Sequence, residues 1–377
     1  MSKNARTVFA PSQGDSPALW IILDEAWRNL TSGVTRGFVF ALVFWLFCGG
    51  SAVAQARIVV GLIQEATMFR QSGAAVWIMS QPYGVNGAQC DRLASLPGVV
   101  AAGAIRGGPT VTLAVLPSTP IATWEITPGF PSLFNMADSD SDGVWLSDDL
   151  AGRAGVATIA DMVPLADGTN VHVAGVYAYP PDGRLPILSY TIAAPVMSDQ
   201  PFDQCWVEAW PQPDKAATVL PLALLPTVTG VNVQSPAPTT TQLNSTHGTS
   251  FDAPTKFANL PLLPINLASI LIGATLGFTA IRSRRLELAC DLHMGLARSA
   301  VSLQILIETL MWTAIAVIAA LPACVVAAII HGPPDYWSAL YPGLRSLVAA
   351  GVAALIGALV AMTLIRENHL FRYFKHR

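Results

Sequence analysis

Four aspartates in the middle of the chain have the spacing of a calcium-binding loop. Asp138, Asp140 and Asp142 alternate with serines and precede Gly143, and Asp149 stands at the twelfth loop position. Carboxylate oxygens at this spacing bind Ca²⁺ in EF-hands, which have glutamate at the twelfth position and a long helix on each side. Neither long helix is predicted here, so we favour an acidic solvated turn. A weak calcium site at Asp138, Asp140, Asp142 and Asp149 is the alternative.

Other reactive side chains are few and scattered. His172 and His247 are the only histidines between the first and second apolar stretches, and the chain has no GxSxG or HExxH motif. A phosphate-binding GxxxxGK[ST] loop is also absent, because no lysine follows a glycine. These absences disfavour a hydrolase and an ATPase. We therefore expect no catalytic residue and no cofactor in this chain.

Four apolar stretches determine the predicted architecture. A helix of about twenty residues crosses the roughly 30 Å hydrocarbon core of a bilayer, and the stretches at residues 37–58, 261–281, 301–331 and 346–366 are long enough. The first could instead be a cleaved signal peptide, since it ends in the small-residue sequence SAVAQA. A retained helix fits better, because the polar segment before it is longer than a usual signal-peptide start.

Basic residues predict the orientation of these spans. They precede the first span, lie between the second and third, and follow the fourth. They include Lys3, Arg6, Arg28, Arg36, Arg282, Arg284, Arg285, Arg298, Arg366, Arg372, Lys375 and Arg377. Since such residues are retained in the cytoplasm, we expect residues 1–36, 282–300 and 367–377 to be cytoplasmic. Residues 59–260, which are rich in aspartate, and the loop 332–345 are then outside.

The predicted fold class is an α-helical membrane protein with four transmembrane helices and an α+β extracytoplasmic domain inserted between helices 1 and 2. Short β-rich runs begin in that domain at Val76, Thr110, Gly143 and Val171. Helices are predicted at residues 90–96 and 148–154, a turn at Asp167-Gly168, and an exposed mobile loop over residues 234–250, which are rich in Pro, Ser and Thr.

The topology also predicts the state of the cysteines. Cys90 and Cys205 alone lie in the outer domain, where oxidising conditions allow a disulfide, and we expect them to pair. Cys48, Cys290 and Cys324 are interpreted as small packing residues.

The N-terminal segment has the pattern of an amphipathic helix. Ser16 and Pro17 form a start signal, and apolar residues recur at helical spacing from Leu19 to Leu30. We expect this helix to lie along the inner membrane face, with an ordinary soluble helix as the alternative.

The third span contains one acidic residue. Glu308 is expected to bond a neighbouring helix, with snorkelling to the interface as the alternative.

Two cytoplasmic segments resemble the permease subunits of the MacB and FtsX family, the type VII ABC transporters. One is EAWRNL at residues 25–30, followed by Arg36 before the first span. The sharper one is RSRRLELACDLHMGLAR at residues 282–298, which resembles the coupling helix that docks on the ATPase. The resemblance implies ATPase-coupling roles for Arg285, Glu287, Gly295 and Arg298.

The resemblance extends over nearly the whole chain. In the outer domain, the segments beginning at Cys90, Gly143 and Asp167 are similar in order and spacing to the family's membrane-distal core. A glutamate at the place of Glu308 is also seen in the family.

As a family member, the chain would be the permease subunit of an ABC complex in the bacterial plasma membrane, with several spans and both termini cytoplasmic. It would transmit ATP-driven motion to its outer domain for export or extraction of a substrate. The resemblance implies a dimer with a second copy or a homologue and separate cytoplasmic ABC ATPase subunits that bind ATP. It also allows an extracytoplasmic adaptor, lipoprotein or hydrolase, whereas a nucleic-acid partner is not expected.

Two other functions remain open from the sequence. An FtsX-like or sensor-type regulator would use the same ATPase to control a cell-wall hydrolase or an antimicrobial response. A membrane-anchored binding protein would need no ATPase.

Overall fold

The computed structural model of this 377-residue chain describes residues 19–33, 35–134, 136, 143–156, 162–226, 237–330, 332 and 336–365. The chain divides into two compact units. One comprises Met1–Gln64 and Lys256–Arg377, and the other comprises Glu65–Thr255.

The first unit is helical. Helix α1 (Leu19–Thr31) is followed by α2 (Gly37–Phe44), a π-helical turn (Trp45–Gly49) and α3 (Gly50–Gln71), which together form one continuous helix. The later helices are α7 (Ala253–Ala258), α8 (Leu262–Ser283), α9 (Arg285–His293), α10 (Arg298–Ile329) and α11 (Trp337–Thr363); the boundary between the units cuts α3 and α7.

Among the described residues, four helices are long and apolar enough to span a membrane: Gly37–Gln71, Ala253–Ser283, Arg298–Ile329 and Trp337–Thr363. The first continues beyond the predicted end of the span at residue 58. The last begins before the predicted start at residue 346, because Ala339 and Leu340 are buried there and packing extends the helix beyond its most apolar part.

Glycines allow α8 and α11 to touch along their backbones. A Cβ atom on Gly277 would lie 1.9 Å from the carbonyl oxygen of Ala354, and one on Gly357 would lie 2.1 Å from that of Ala274. No larger residue fits without moving a helix. This close approach of small residues is a common basis of helix association in membranes.

Among its described residues, the second unit contains one mixed sheet of ten strands, in the order β10-β1-β9-β2-β4-β8-β5-β7-β6, with β3 paired to β4. The strands are β1 (Val76–Asn86), β2 (Val99–Gly107), β3 (Val111–Thr112), β4 (Pro120–Ile126), β5 (Val144–Ser147), β6 (Met162–Pro164), β7 (Asn170–Tyr177), β8 (Thr191–Pro195), β9 (Pro201–Ala209) and β10 (Thr239–Gln242). In the described part of the unit, the connections between strands contain three short α-helices, α4 (Gly87–Arg92), α5 (Asp148–Ala154) and α6 (Lys215–Val219), besides 3-10 turns. The pairs β4 with β8 and β5 with β7 are parallel.

Successive residues of the central strands are buried on opposite faces of this sheet. On β9, Trp206 packs into one apolar cluster and Cys205 into another, and on β1 Ile78 and Met79 divide in the same way. This alternation follows from the two-residue period of a strand. Both faces are covered, so the sheet forms the centre of the unit.

One expectation for this unit is wrong. Residues 237–250, the described part of the predicted exposed mobile loop, include strand β10, which pairs with Trp77–Ser80 of β1. Beyond that strand, the buried Asn244 side chain donates to the carbonyl oxygens of Ser72 (3.0 Å) and Asp182 (3.2 Å). Backbone pairing and one buried amide therefore order a segment that has no apolar periodicity.

Candidate functional site

The most distinctive segment of the helical unit is α9, the short helix between α8 and α10. Arg284 is the single residue that separates α8 from α9, and it has neither helical nor extended dihedral angles. After α9 the chain turns at Gly295, whose φ of +94° is in the left-handed region that glycine favours. The long helices α8 and α10 are thus joined by a helix with a bend at each end.

One face of α9 is buried in an apolar cluster. Leu288, Ala289 and Leu292 form this face. Their neighbours in the cluster come from the end of α8, the start of α10, and the end of α11 with the residues just after it: Ile281, Val301, Ile305, Ala358, Ala361, Met362 and Ile365. Four described helices therefore meet at this place.

The turn after α9 is exposed although part of it is apolar. Met294 is 75% exposed and Leu296 is 50% exposed, on either side of Gly295. Exposed apolar side chains scattered singly are ordinary. Here two of them lie on one tight turn at the end of a helix whose buried face packs on its neighbours. Together they form a small exposed surface, which we call the α9 turn (residues 294–297).

A buried ion cluster lies at the start of α9. The Arg284 side chain donates through Nε (3.0 Å) and Nη2 (2.7 Å) to the two carboxylate oxygens of Glu287, and through Nη1 to Oε2 of Glu308 (2.5 Å). Only 9% of the Arg284 side chain is exposed, against 43% of Glu287 and 5% of Glu308. One guanidinium thus joins the first turn of α9 to the interior of α10.

The same cluster includes α1. The side-chain amide of Asn29 donates to Oε1 of Glu308 (2.9 Å), and Gln304 Nε2 donates to that oxygen at 3.4 Å. Thr35 in turn donates to the backbone oxygen of Asn29 at 3.3 Å. Glu308 therefore accepts hydrogen bonds from α1, from its own helix and from the junction before α9.

Electrostatics agree with this geometry. Burial alone would lower the pKa of Arg284, but the hydrogen bonds and charges of Glu287 and Glu308 raise its pKa overall, so the guanidinium stays charged. Burial raises the pKa of Asp291 above its usual value; the Glu287 carboxylate adds to the increase, as does that of Glu25, and Arg284 opposes it. The pKa of Asp291 is thus affected by a carboxylate of α1 and by one of its own helix, α9.

The structure places the four predicted coupling residues along this segment. Arg285 and Glu287 lie in the first turn of α9, Gly295 is in the α9 turn, and Arg298 begins α10, where its Nη2 donates to the backbone oxygen of Ile365 at 3.0 Å. Glu308 bonds neighbouring elements, as its position within an apolar span suggests.

Sequence reasoning missed the roles of Arg284 and Asn29 in this cluster. In the sequence, Arg284 is only one of several basic residues that flank the second apolar stretch. A signal for it was available, because an acidic residue within an apolar span needs a partner nearby.

The remaining predicted sites lie in the sheet unit. Asp138, Asp140 and Asp142 lie outside the described residues, and Asp149 is in the first turn of α5. Among the residues that the structure does describe, no cluster of three or more His, Cys, Asp or Glu side chains suits a metal ion. Cys90 and Cys205 are joined in a disulfide that links α4 to β9.

Comparisons with known proteins do not identify a family. No family model matches the chain, and no curated protein matches it. One similar solved structure is described as "a domain of a putative Permease protein from Porphyromonas gingivalis". The likeness has 14% identity and a TM-score of 0.28, and it covers 37% of this chain and 77% of that one.

Proposed function

We propose that this chain is the membrane-spanning permease subunit of an ABC transporter complex in a bacterial plasma membrane. It transmits motion from a separate ATPase to its sheet domain, which engages a substrate outside the membrane. The observation that supports this proposal is α9: a short helix, packed against the three described helices α8, α10 and α11 and ending in an exposed, partly apolar turn.

This arrangement suits the transmission of force. A helix whose buried face packs on α8, α10 and α11 moves them when it is displaced, because packed interiors deform little. The α9 turn offers Met294 and Leu296 as contacts for a partner. Basic residues on both sides of α9 favour a cytoplasmic position, where ATP is available.

The motor belongs to a separate subunit in this proposal. The sequence has no phosphate-binding loop, so ATP binds to the partner. By resemblance, two permease subunits and two ATPases form the complex, and ATP-driven closure of the ATPases moves α9.

Affinity capture of the full-length chain from native membranes tests the proposal. We expect mass spectrometry to recover a protein with a Walker-type ATP-binding motif in near-stoichiometric amount. Recovery of a cell-wall hydrolase with that ATPase would favour the regulatory alternative. Capture without any ATPase would refute the proposal and leave a membrane-anchored binding protein.

Two substitutions test the role of α9 in the captured complex. Gly295→Val should uncouple ATP hydrolysis from the outer function, because a β-branched residue is strained at a φ of +94°. Nothing lies within 4 Å of a Cβ atom at this position, so a steric clash is not involved. Glu287→Lys should also uncouple, because it opposes Arg284.

Matched controls keep this test specific. Gly295→Asn should retain coupling, since asparagine tolerates the left-handed conformation, and Glu287→Gln should be milder than Glu287→Lys. The assay is the ratio of substrate-stimulated to basal ATP hydrolysis at normal membrane insertion. Normal ratios for both Gly295→Val and Glu287→Lys would count against α9 as the coupling element.

A further inference from the structure

We propose that the buried pair Arg284–Glu308 is the joint that fixes α9 to α10 and α1, so that these three elements move together. Arg284 and Glu308 are then positioning residues of the coupling segment. The inference rests on the proposed function for what pushes α9, but the joint itself is a property of this chain and is tested without an ATPase.

The joint lies where the chain could otherwise bend. Arg284 is the single residue between α8 and α9, so rotation of its backbone would swing α9 relative to α8. Its side chain, however, is 9% exposed and is held by Glu287 on one side and Glu308 on the other. The hinge residue itself therefore holds the ion pair that prevents the hinge from opening.

Glu308 makes opening costly. Its Oε2 accepts from Arg284, and its Oε1 accepts from Asn29 and Gln304. If α9 swung away with Arg284, a carboxylate that is nearly inaccessible to water would lose its cation. Breaking one side of a buried ion pair is strongly unfavourable, because the remaining charge stays desolvated.

The direction of force transmission follows. A displacement of α9 is delivered through the ion pair to α10 and, through Asn29, to α1. The apolar contacts of Leu288 and Leu292 also hold α9 against its neighbours, but unlike hydrogen bonds they have no preferred direction. The hydrogen-bonded charges set the angle between α9 and α10.

The chain contains its own reporter for this joint. Of its five cysteines, Cys48 and Cys324 are buried and Cys90 and Cys205 form the disulfide, so Cys290 on α9 is the one partly exposed free thiol. Because Cys290 is only partly exposed while α9 is packed, the rate at which a water-soluble maleimide labels it rises when α9 leaves its packed position. Labelling of Cys48 or Cys324 reports loss of the helical packing as a whole.

The test uses the full-length chain in membranes without nucleotide or ATPase. We expect the double variant R284Q/E308Q to label at Cys290 about tenfold faster than wild type or more, with Cys48 and Cys324 still protected. Both buried charges are absent from this variant, so no single buried charge is left without its partner, which would itself destabilise the chain. The single variants R284Q and E308Q should be no better protected at Cys290 than the double variant, because the two residues act as one unit.

Two controls separate the joint from general loosening. Glu287→Gln removes the exposed arm of the cluster but leaves Arg284 paired with Glu308, so it should speed the labelling of Cys290 much less than the double variant does. In the Glu287→Gln background, exchanging the charges by Arg284→Glu together with Glu308→Arg should restore slow labelling.

Unchanged labelling of Cys290 in the double variant would overturn the proposal. Simultaneous exposure of Cys48 and Cys324 would also overturn it, because the Arg284–Glu308 ion pair would then hold the whole helical unit together and not α9 in particular. Failure to capture an ATPase would refute the proposed function and leave this result intact.

Discussion

The contact between α8 and α11 gives the sharpest stability prediction. A Cβ atom on Gly277 would lie 1.9 Å from the backbone oxygen of Ala354, whereas real Cβ contacts essentially never fall below 3.0 Å. Gly277→Ala must therefore separate two helix backbones by about 1 Å in a close-packed interior. Overpacking of this kind costs about 1–3 kcal/mol. The cost exceeds the roughly 0.5–1 kcal/mol by which alanine is preferred over glycine in a helix.

Gly351→Ala is the matched control, because it lies within α11 and a Cβ atom there has nothing within 4 Å. It should be neutral or slightly stabilising.

The assay is thermal unfolding in detergent, followed by a fluorogenic maleimide that reacts with Cys48 and Cys324 as they become exposed. Both thiols are buried in the helical unit, so the signal reports that unit. We expect the midpoint for Gly277→Ala to fall by several degrees and that for Gly351→Ala to stay or rise. Equal midpoints for the two variants would show that α8 and α11 are not in backbone contact.

Two further predictions concern the sheet unit. The side-chain hydrogen bond from Arg184 holds the pKa of Asp182 below its ordinary value of 3.8, so the stability from this pair is present above pH 3.8 and is lost as the pH falls through the lowered pKa. Asp182→Asn should therefore lower the free energy of unfolding at pH 7 and weaken the pH dependence of that free energy below pH 4. The measurement is denaturation at several pH values. An unchanged pH dependence below pH 4 would contradict this prediction. Cys90→Ala with Cys205→Ala should destabilise the unit by about 2–5 kcal/mol, because the disulfide closes a long loop across 115 positions. Equal denaturation midpoints under non-reducing conditions would refute that estimate.

Much of the helical unit could be predicted because a helix that is long and apolar enough to span a membrane is recognised from local composition. Apolar length alone placed four helices, and the structure differs mainly at their ends, where packing of residues such as Ala339 extends a helix beyond its apolar stretch. The pairing of Cys90 with Cys205 followed from the small number of cysteines in one region.

The parts that were missed depend on contacts between distant residues. Asn29 meets Glu308 across 279 positions, and no local pattern indicates that meeting. Strand β10 is formed by threonine and glutamine, whose side chains give no apolar alternation, and its backbone bonds to β1 order it. The periodicity of apolar residues therefore gives no indication of directional polar contacts between segments that are far apart in the chain.

The short strand β10 also affects how copies of this chain can meet. Without it, the backbone groups of Trp77–Ser80 would be open to any extended polypeptide, which is how sheets grow from one molecule into the next. β10 has only four residues, and its three threonines are exposed. The edge that it gives the sheet is therefore short and hydrophilic, which disfavours pairing with another sheet. A short, hydrophilic edge of this kind is one way in which sheet proteins limit edge-to-edge aggregation.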